Sequence, residues 1–217
     1  MAKRKLIVVL LAMVVTLAGI TYYYWYQNAN YVSTEDARID GNIVKVSPQV
    51  TGKILELAVE EGQYLHKNDF IGRQSDISLP AGSNLDLTII KAPTNGTVIK
   101  KIARTGEMGS PTAAVLMMVE LKELYVTANI EEDKLERVKE GQLVDYTIDS
   151  FPNIKFQGHI ISKGEAANSV FSLLPQQNTG NSFVKITQRV PVKISIDDYH
   201  NQRLLPGMNA IIRIHIK

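Results

Sequence analysis

The sequence predicts a mainly β protein: an N-terminal transmembrane helix, a β-sandwich split into two halves, and a small β-barrel domain with one short helix. Three observations carry that prediction. An uncharged run from Leu6 to Tyr26 follows the basic Met1-Ala2-Lys3-Arg4-Lys5. A glycine-marked β-unit occurs twice, since Gly52 falls on Gly96 and Gly62 on Gly106, 44 positions on in each case. Beyond Glu120 the pattern becomes strict period-2 alternation, as in Val190, Val192, Ile194 and in Ala210, Ile212, Ile214.

The 21 residues from Leu6 to Tyr26 would cover about 32 Å as a helix, enough for a hydrocarbon layer. Positive charge before the run and none directly after it predict residues 1–5 as a cytoplasmic tail, with the bulk of the chain outside the cytoplasm. The aromatic cluster Tyr22 to Tyr26 fits an interfacial belt. A cleaved signal peptide is the rival reading, disfavoured because bulky aromatics occupy the place where a small-x-small cleavage site would stand. Residues 27–42 read as a linker and a first barrel-associated strand near Val32.

Residues 43–74 and 88–121 are the two copies of the β-unit. Gly52, Gly62, Gly96 and Gly106 suit turns that need positive φ or a closely approaching backbone, and Gly207 does the same for the Leu205-Pro206-Gly207 connection. Neither copy has enough apolar residues to cover a face alone, so the two should close on each other. Residues 75–87, SDISLPAGSNLDL, interrupt them as a short loop.

Residues 122–217 form the predicted barrel domain. Asn129 and Glu132 have the spacing of a capping box, which predicts a short helix over Ile130 to Lys139 closed by Gly141. Strands are expected at Val144 to Ile148, after a Phe151-Pro152-Asn153 turn at Ile154 to Ile161, and in the two alternating runs. Between them, Ala166 to Ser182 is rich in Asn, Gln, Ser and Gly, yet carries Val170, Phe171, Leu173 and Leu174. Two readings stay open: a long loop tucked onto the barrel, or a docking surface for a partner or the membrane.

Chemistry is hard to place on this chain. It has no cysteine, which removes disulfides and thiolate chemistry. His66, His159, His200 and His215 are widely spaced without a metal-binding pattern, and His215 lies opposite the apolar phase of its strand, as an exposed residue would. Glu131-Glu132-Asp133 and Asp197-Asp198 are explained by a helix start and a solvated turn. No phosphate-cradling or serine-hydrolase motif occurs. The expectation is therefore no catalytic residue, no cofactor and no metal. Net charge is +2 and owes much to Lys3, Arg4 and Lys5, so nucleic acid is not an expected partner.

The duplicated unit resembles a biotinyl or lipoyl domain, whose prosthetic group hangs from a lysine at the turn between the halves. Here Gln74-Ser75-Asp76 stands at that turn, and no lysine occurs from Ser75 to Leu87. The chain as a whole resembles the membrane fusion, or periplasmic adaptor, family of HlyD and EmrA type. The resemblance rests on Asp36-Ala37-Arg38-Ile39-Asp40-Gly41-Asn42, Val46-Ser47-Pro48 and Val50 with Gly52, on Lys91-Ala92-Pro93 with Gly96, and on Leu205-Pro206-Gly207-Met208. The string Phe171-Ser172-Leu173-Leu174-Pro175-Gln176-Gln177-Asn178-Thr179-Gly180-Asn181, followed by Gln188-Arg189 and Pro191-Val192, resembles the EmrA multidrug-export branch.

That resemblance implies a non-catalytic adaptor subunit of a multidrug efflux system, single-pass in the inner membrane. Its implied partners are an inner-membrane transporter, most of all of the major-facilitator type, and further copies of itself. Implied cargo is hydrophobic toxic compounds. Phe171, Leu173, Leu174, Pro175, Gln176, Asn178, Gly180 and Asn181 are the candidate partner-interaction residues. Where the family carries a long helical hairpin, this chain has only residues 75–87, with Pro80 and Gly82 among them, so contact with an outer-membrane channel is disfavoured. The alternatives are a membrane-anchored extracytoplasmic scaffold or interaction module, or the adaptor of an ABC exporter.

Overall fold

A computed structural model describes residues 2–77, 80, 82, 84–167 and 187–216, and for residues 2–9 the backbone alone. The segment Phe171 to Asn181, with all eight candidate interaction residues, lies outside the described residues. The chain divides into two compact units: residues 1–39, 125–203 and 207–217 form one, and residues 40–124 with 204–206 form the other.

The second unit is a sandwich whose strands are β2 (Val44–Val46), β3 (Gly52–Leu57), β4 (Tyr64–Leu65), β5 (Phe70–Gln74), β6 (Ile89–Lys91), β7 (Gly96–Lys101), β8 (Met108–Gly109) and β9 (Leu116–Val119). They make two four-stranded sheets, β2-β9-β7-β4 and β6-β5-β3-β8. Exchanging each strand for its counterpart in the other repeat turns the first order into the second, so the duplication in sequence is a two-fold pseudo-symmetry in space. Each sheet takes two strands from each repeat.

Hydrogen bonds repeat with the same offset. Gly62 N–H donates to Val98 O at 2.8 Å, and Gly106 N–H to Ile54 O at 2.8 Å. Val98 N–H donates to Gln63 O at 2.9 Å, matching Ile54 N–H to Glu107 O at 2.8 Å. Gly62 and Gly106 have φ of 89° and 96°, a region an L-residue enters only at a cost. Gly52 is the first residue of β3 and has no positive φ; a Cβ there would meet Ser75 O at 2.8 Å, as one on Gly96 would meet Val119 O at 2.9 Å. The core between the sheets draws Ile54, Leu65 and Ile71 from the first repeat and Ile90, Val98, Leu116 and Met118 from the second. Burying such a side chain is worth roughly 1.5–3 kcal/mol, a gain neither half makes without the other.

The first unit begins with helix α1 (Ala2–Asn30), which runs without a break into β1 (Tyr31–Asp40). Among the described residues no helix is long and apolar enough to cross a membrane, the side chains of residues 2–9 falling outside that description. The remaining strands are β10 (Tyr125–Glu131), β11 (Leu143–Ile148), β12 (Phe151–Lys163), β13 (Arg189–Ile194) and β14 (Asn209–His215), closed as a barrel in the order β1-β10-β13-β12-β11-β14. The strand after the helix thus closes the barrel. Period-2 alternation points Val126, Ala128 and Ile130 inward with Val144, Tyr146 and Ile148, and with Ala210, Ile212 and Ile214, all buried. Tyr146 and Phe156 are register partners and stack at 5.7 Å.

Two expectations are corrected. No α-helix spans Ile130 to Lys139: β10 continues to Glu131 and a 3-10 helix follows over Glu132–Arg137, with no side-chain cap. The supposed capping residue Asn129 instead donates from Nδ2 to Asp36 Oδ1 at 2.9 Å. The hairpin between β11 and β12 turns at Asp149 and Ser150, with Phe151 already paired to Ile148, so Pro152 is an exposed strand residue and not part of a turn. His215 stands on the outward phase of β14 with its side chain 33% exposed; its Nε2 lies 2.7 Å from Asp145 Oδ2 and its ring stands edge-on to Tyr31.

Candidate functional site

Between β5 and β6, where a carrier domain would present its lysine, the described residues hold no α-helix, only a 3-10 turn at Leu85–Thr88 capped by the Asn84 side chain. Gln74, at the start of this connection, is buried and donates from Nε2 to Gly52 O at 3.0 Å. It fastens the end of β5 to the start of β3 and presents nothing reactive.

On the barrel, β1 shifts register against β14 between Thr34 and Ala37. Beside this irregularity lies a cleft of about 930 Å³ whose lining includes Glu35, Asp36, Asp145, Lys155, Arg189 and Arg213. Both signs of charge face the cleft, and several are already paired. Asp36 receives hydrogen bonds from Asn129 and from Arg189 Nη1, so β1, β10 and β13 meet on one carboxylate. Partial burial opposes ionisation of Asp145, but hydrogen bonds from His215 and Gln157 and the nearby charges of His215 and Lys155 outweigh it and hold its carboxyl below the ordinary range. Hydrogen bonding to Lys134, then its charge, lowers Glu131 in the same direction.

The four histidines each lie beside an aspartate: His66 with Asp69, His159 with Asp197, His200 with Asp198 and His215 with Asp145. Among the described residues no group of three or more His, Asp or Glu could hold a metal ion. Among the described residues no nucleophile with an adjacent base and an oxyanion donor is assembled.

The sequence strings brought Asp36 and Arg189 into view as separate pieces 153 positions apart, and only the barrel's closure makes them a pair. Arg137 was missed altogether. From the 3-10 turn it donates through Nη2 to Asn28 O at 2.5 Å and Ala29 O at 2.8 Å, capping the last carbonyls of α1. Its only signal was a cation in a short polar stretch. Ile216 N–H adds a bond to Asn30 O at 3.0 Å, so the helix end is held by the barrel from two sides.

Residues 123–215 match a family described as the AAEA-like beta-barrel domain. Over 188 residues the chain is 32% identical to the putative efflux system component YhbJ of Bacillus subtilis, covering 87% of this chain and 81% of that protein. It is 31% identical over 129 residues to the colistin resistance protein EmrA of Acinetobacter baumannii, covering 59% of this chain but 36% of that one. The chain therefore spans little over a third of that longer relative. In fold it is similar to the periplasmic adaptor protein EmrA (TM-score 0.56, 14% identity, 86% of this chain and 99% of that one). MacA from Actinobacillus actinomycetemcomitans is a further likeness (TM-score 0.68, 17% identity, 87% and 81%). With the duplicated sandwich and the closed barrel both in place, the chain belongs to the membrane fusion proteins of efflux systems, in their EmrA-like branch, a family of adaptors and not of enzymes.

Proposed function

We propose that this protein is a single-pass adaptor of the inner membrane that assists a major-facilitator-type transporter in exporting hydrophobic toxic compounds. On this reading residues 1–5 are a cytoplasmic tail, 6–26 cross the bilayer, and 27–42 supply the first barrel strand. Residues 43–74 and 88–121 are the lipoyl halves, 75–87 replace the helical hairpin, and 122–217 are the barrel domain.

One observation carries the reading: a 29-residue helix runs straight into a barrel strand, with its large apolar side chains from Leu10 to Tyr26 47–68% exposed. Such a surface calls for lipid in place of water. Names given to relatives supply the class of cargo, among them the multidrug export protein EmrA of Escherichia coli and the fatty acid resistance protein FarA of Neisseria gonorrhoeae. Self-association around the transporter completes the assembly, without a hairpin long enough to reach an outer-membrane channel.

The test is affinity purification of the full chain from detergent-solubilised membranes, followed by identification of what comes with it. A multi-spanning transporter should co-purify, and deletion of Phe171 to Asn181 should weaken its recovery while the sandwich stays folded. Recovery of the chain alone, or an unchanged yield of transporter after the deletion, refutes the corresponding part.

A further inference from the structure

We propose that the foot of the barrel carries a binding site for the phosphate of an anionic phospholipid, formed by Lys134 and Arg213 beside the aromatic end of α1. This rests on the membrane-anchor reading above.

A cleft of about 360 Å³ lies where α1 meets the barrel, with Tyr24, Gln27, Asn28, Tyr31, Lys134 and Arg213 in its lining. Its place in the fold is fixed. Arg137 and Ile216 hold the last carbonyls of α1 against the barrel, so no flexible linker separates the aromatic belt from these two cations. If Tyr22 to Tyr26 sit at the headgroup level, Lys134 and Arg213 stand at the depth of the lipid phosphates.

The cations are arranged for an outside anion. Arg213 is held across the Tyr31 ring, 5.4 Å from its centroid, and among the described residues it forms no ion pair. Lys134 shares its charge with Glu131 at 2.5 Å, both side chains being 37% exposed. Arg137 turns its Nη2 to the carbonyls of Asn28 and Ala29. Lys134 and Arg213 are the charged residues in the lining of this cleft, while Glu131 lies beside Lys134 and Asp145, opposite Arg213 in the β11–β14 ladder, is engaged by His215. A phosphate diester offers the acceptor oxygens that such an ammonium and guanidinium take up. Polar Gln27 and Asn28 line the cleft for the rest of a headgroup.

The chain's sole tryptophan, Trp25, adjoins Tyr24 and reports on this place. Full chain in nanodiscs would be titrated with spin-labelled phosphatidylglycerol or spin-labelled phosphatidylcholine, reading quenching of Trp25. Each cation near a headgroup is worth about a fivefold preference. The anionic lipid should therefore quench several-fold more strongly, Lys134→Gln or Arg213→Gln should each remove about fivefold of that preference, and Lys134→Arg should keep it. Glu131→Gln, which releases Lys134, should raise it, and unchanged circular dichroism shows that each variant is folded. Equal quenching by both lipids, or a preference indifferent to these substitutions, overturns the headgroup site while leaving the anchor standing. Quenching by neither lipid overturns the anchor and the site with it. Abolition of the preference by inorganic phosphate at constant ionic strength assigns the site to the free ion and overturns the lipid reading.

Discussion

Replacing Gly62 or Gly106 by alanine should destabilise the sandwich by the same amount. Both residues hold φ near +90°, at 89° and 96°, and a Cβ on Gly106 meets nothing within 4 Å. At Gly106 the cost is therefore backbone strain alone, and the matching φ at Gly62 sets the same expectation there, about 1–2 kcal/mol at each position. Each glycine N–H bonds into the opposite repeat, so both turns should loosen the same closed body. The sites are separate, so the double variant should lose about 2–4 kcal/mol, the sum of the two within a few tenths. Hydrogen exchange on the full chain measures this locally. Peptides over residues 52–57 and 96–101 should lose protection together, by about tenfold for each 1.4 kcal/mol lost in either variant, while a peptide over residues 143–148 of the barrel stays as in the parent. Asparagine at either position should recover part of the loss, because it enters the left-handed region more readily. An effect confined to the peptide nearest the substitution, or full tolerance of alanine at one position only, would refute the equivalence of the two repeats.

Three further outcomes are expected. Tyr146→Phe should leave the barrel unchanged or stabilise it by up to about 1 kcal/mol, because the buried hydroxyl has no hydrogen-bond partner among the described residues; a clear loss in urea unfolding would contradict that. Asp145→Asn should weaken the barrel at neutral pH. The folded carboxyl is held below its ordinary range, so its contribution is present above that range and lost as pH falls through the folded value; the gap between variant and parent should close below about pH 4, and a gap constant with pH refutes the linkage. Arg189→Gln should cost less than about 1 kcal/mol, since both partners of the Asp36 pair are half-exposed, with the loss shrinking as salt is added in thermal melts.

The repeat was legible because its marks are backbone requirements. Gly62 and Gly106 stand where a side chain would be strained, and that necessity leaves a fixed spacing in the sequence. Interleaving of the repeats was not legible, because alternation along a strand says which face is buried and nothing about which strand lies alongside. For the same reason Asp36 and Arg189 could be seen but not joined. The errors have local causes. Asn129 and Glu132 have capping-box spacing, yet the Asn129 amide is taken by Asp36 across the barrel, so strand pairing overrode the local motif. Pro152 suggested a turn, but an exposed strand start also tolerates a residue without an N–H donor. The outward phase of His215 was read correctly from the alternation, whereas its contact with Asp145, 70 residues away, depends on how β11 and β14 align.

The pairing of β5 with β6 makes the stretch that joins them a socket. Arg73 and Ile89 are ladder partners, so the two ends of that stretch stay one strand spacing apart, about 5 Å, whatever length of chain is placed between them. Doubling such a loop adds only about 0.6 kcal/mol of closure entropy. A small foreign domain whose own termini lie side by side could be plugged in after Ser75 and leave both sheets intact, giving a reporter that stands out from the sandwich and a direct way to vary how far this protein reaches.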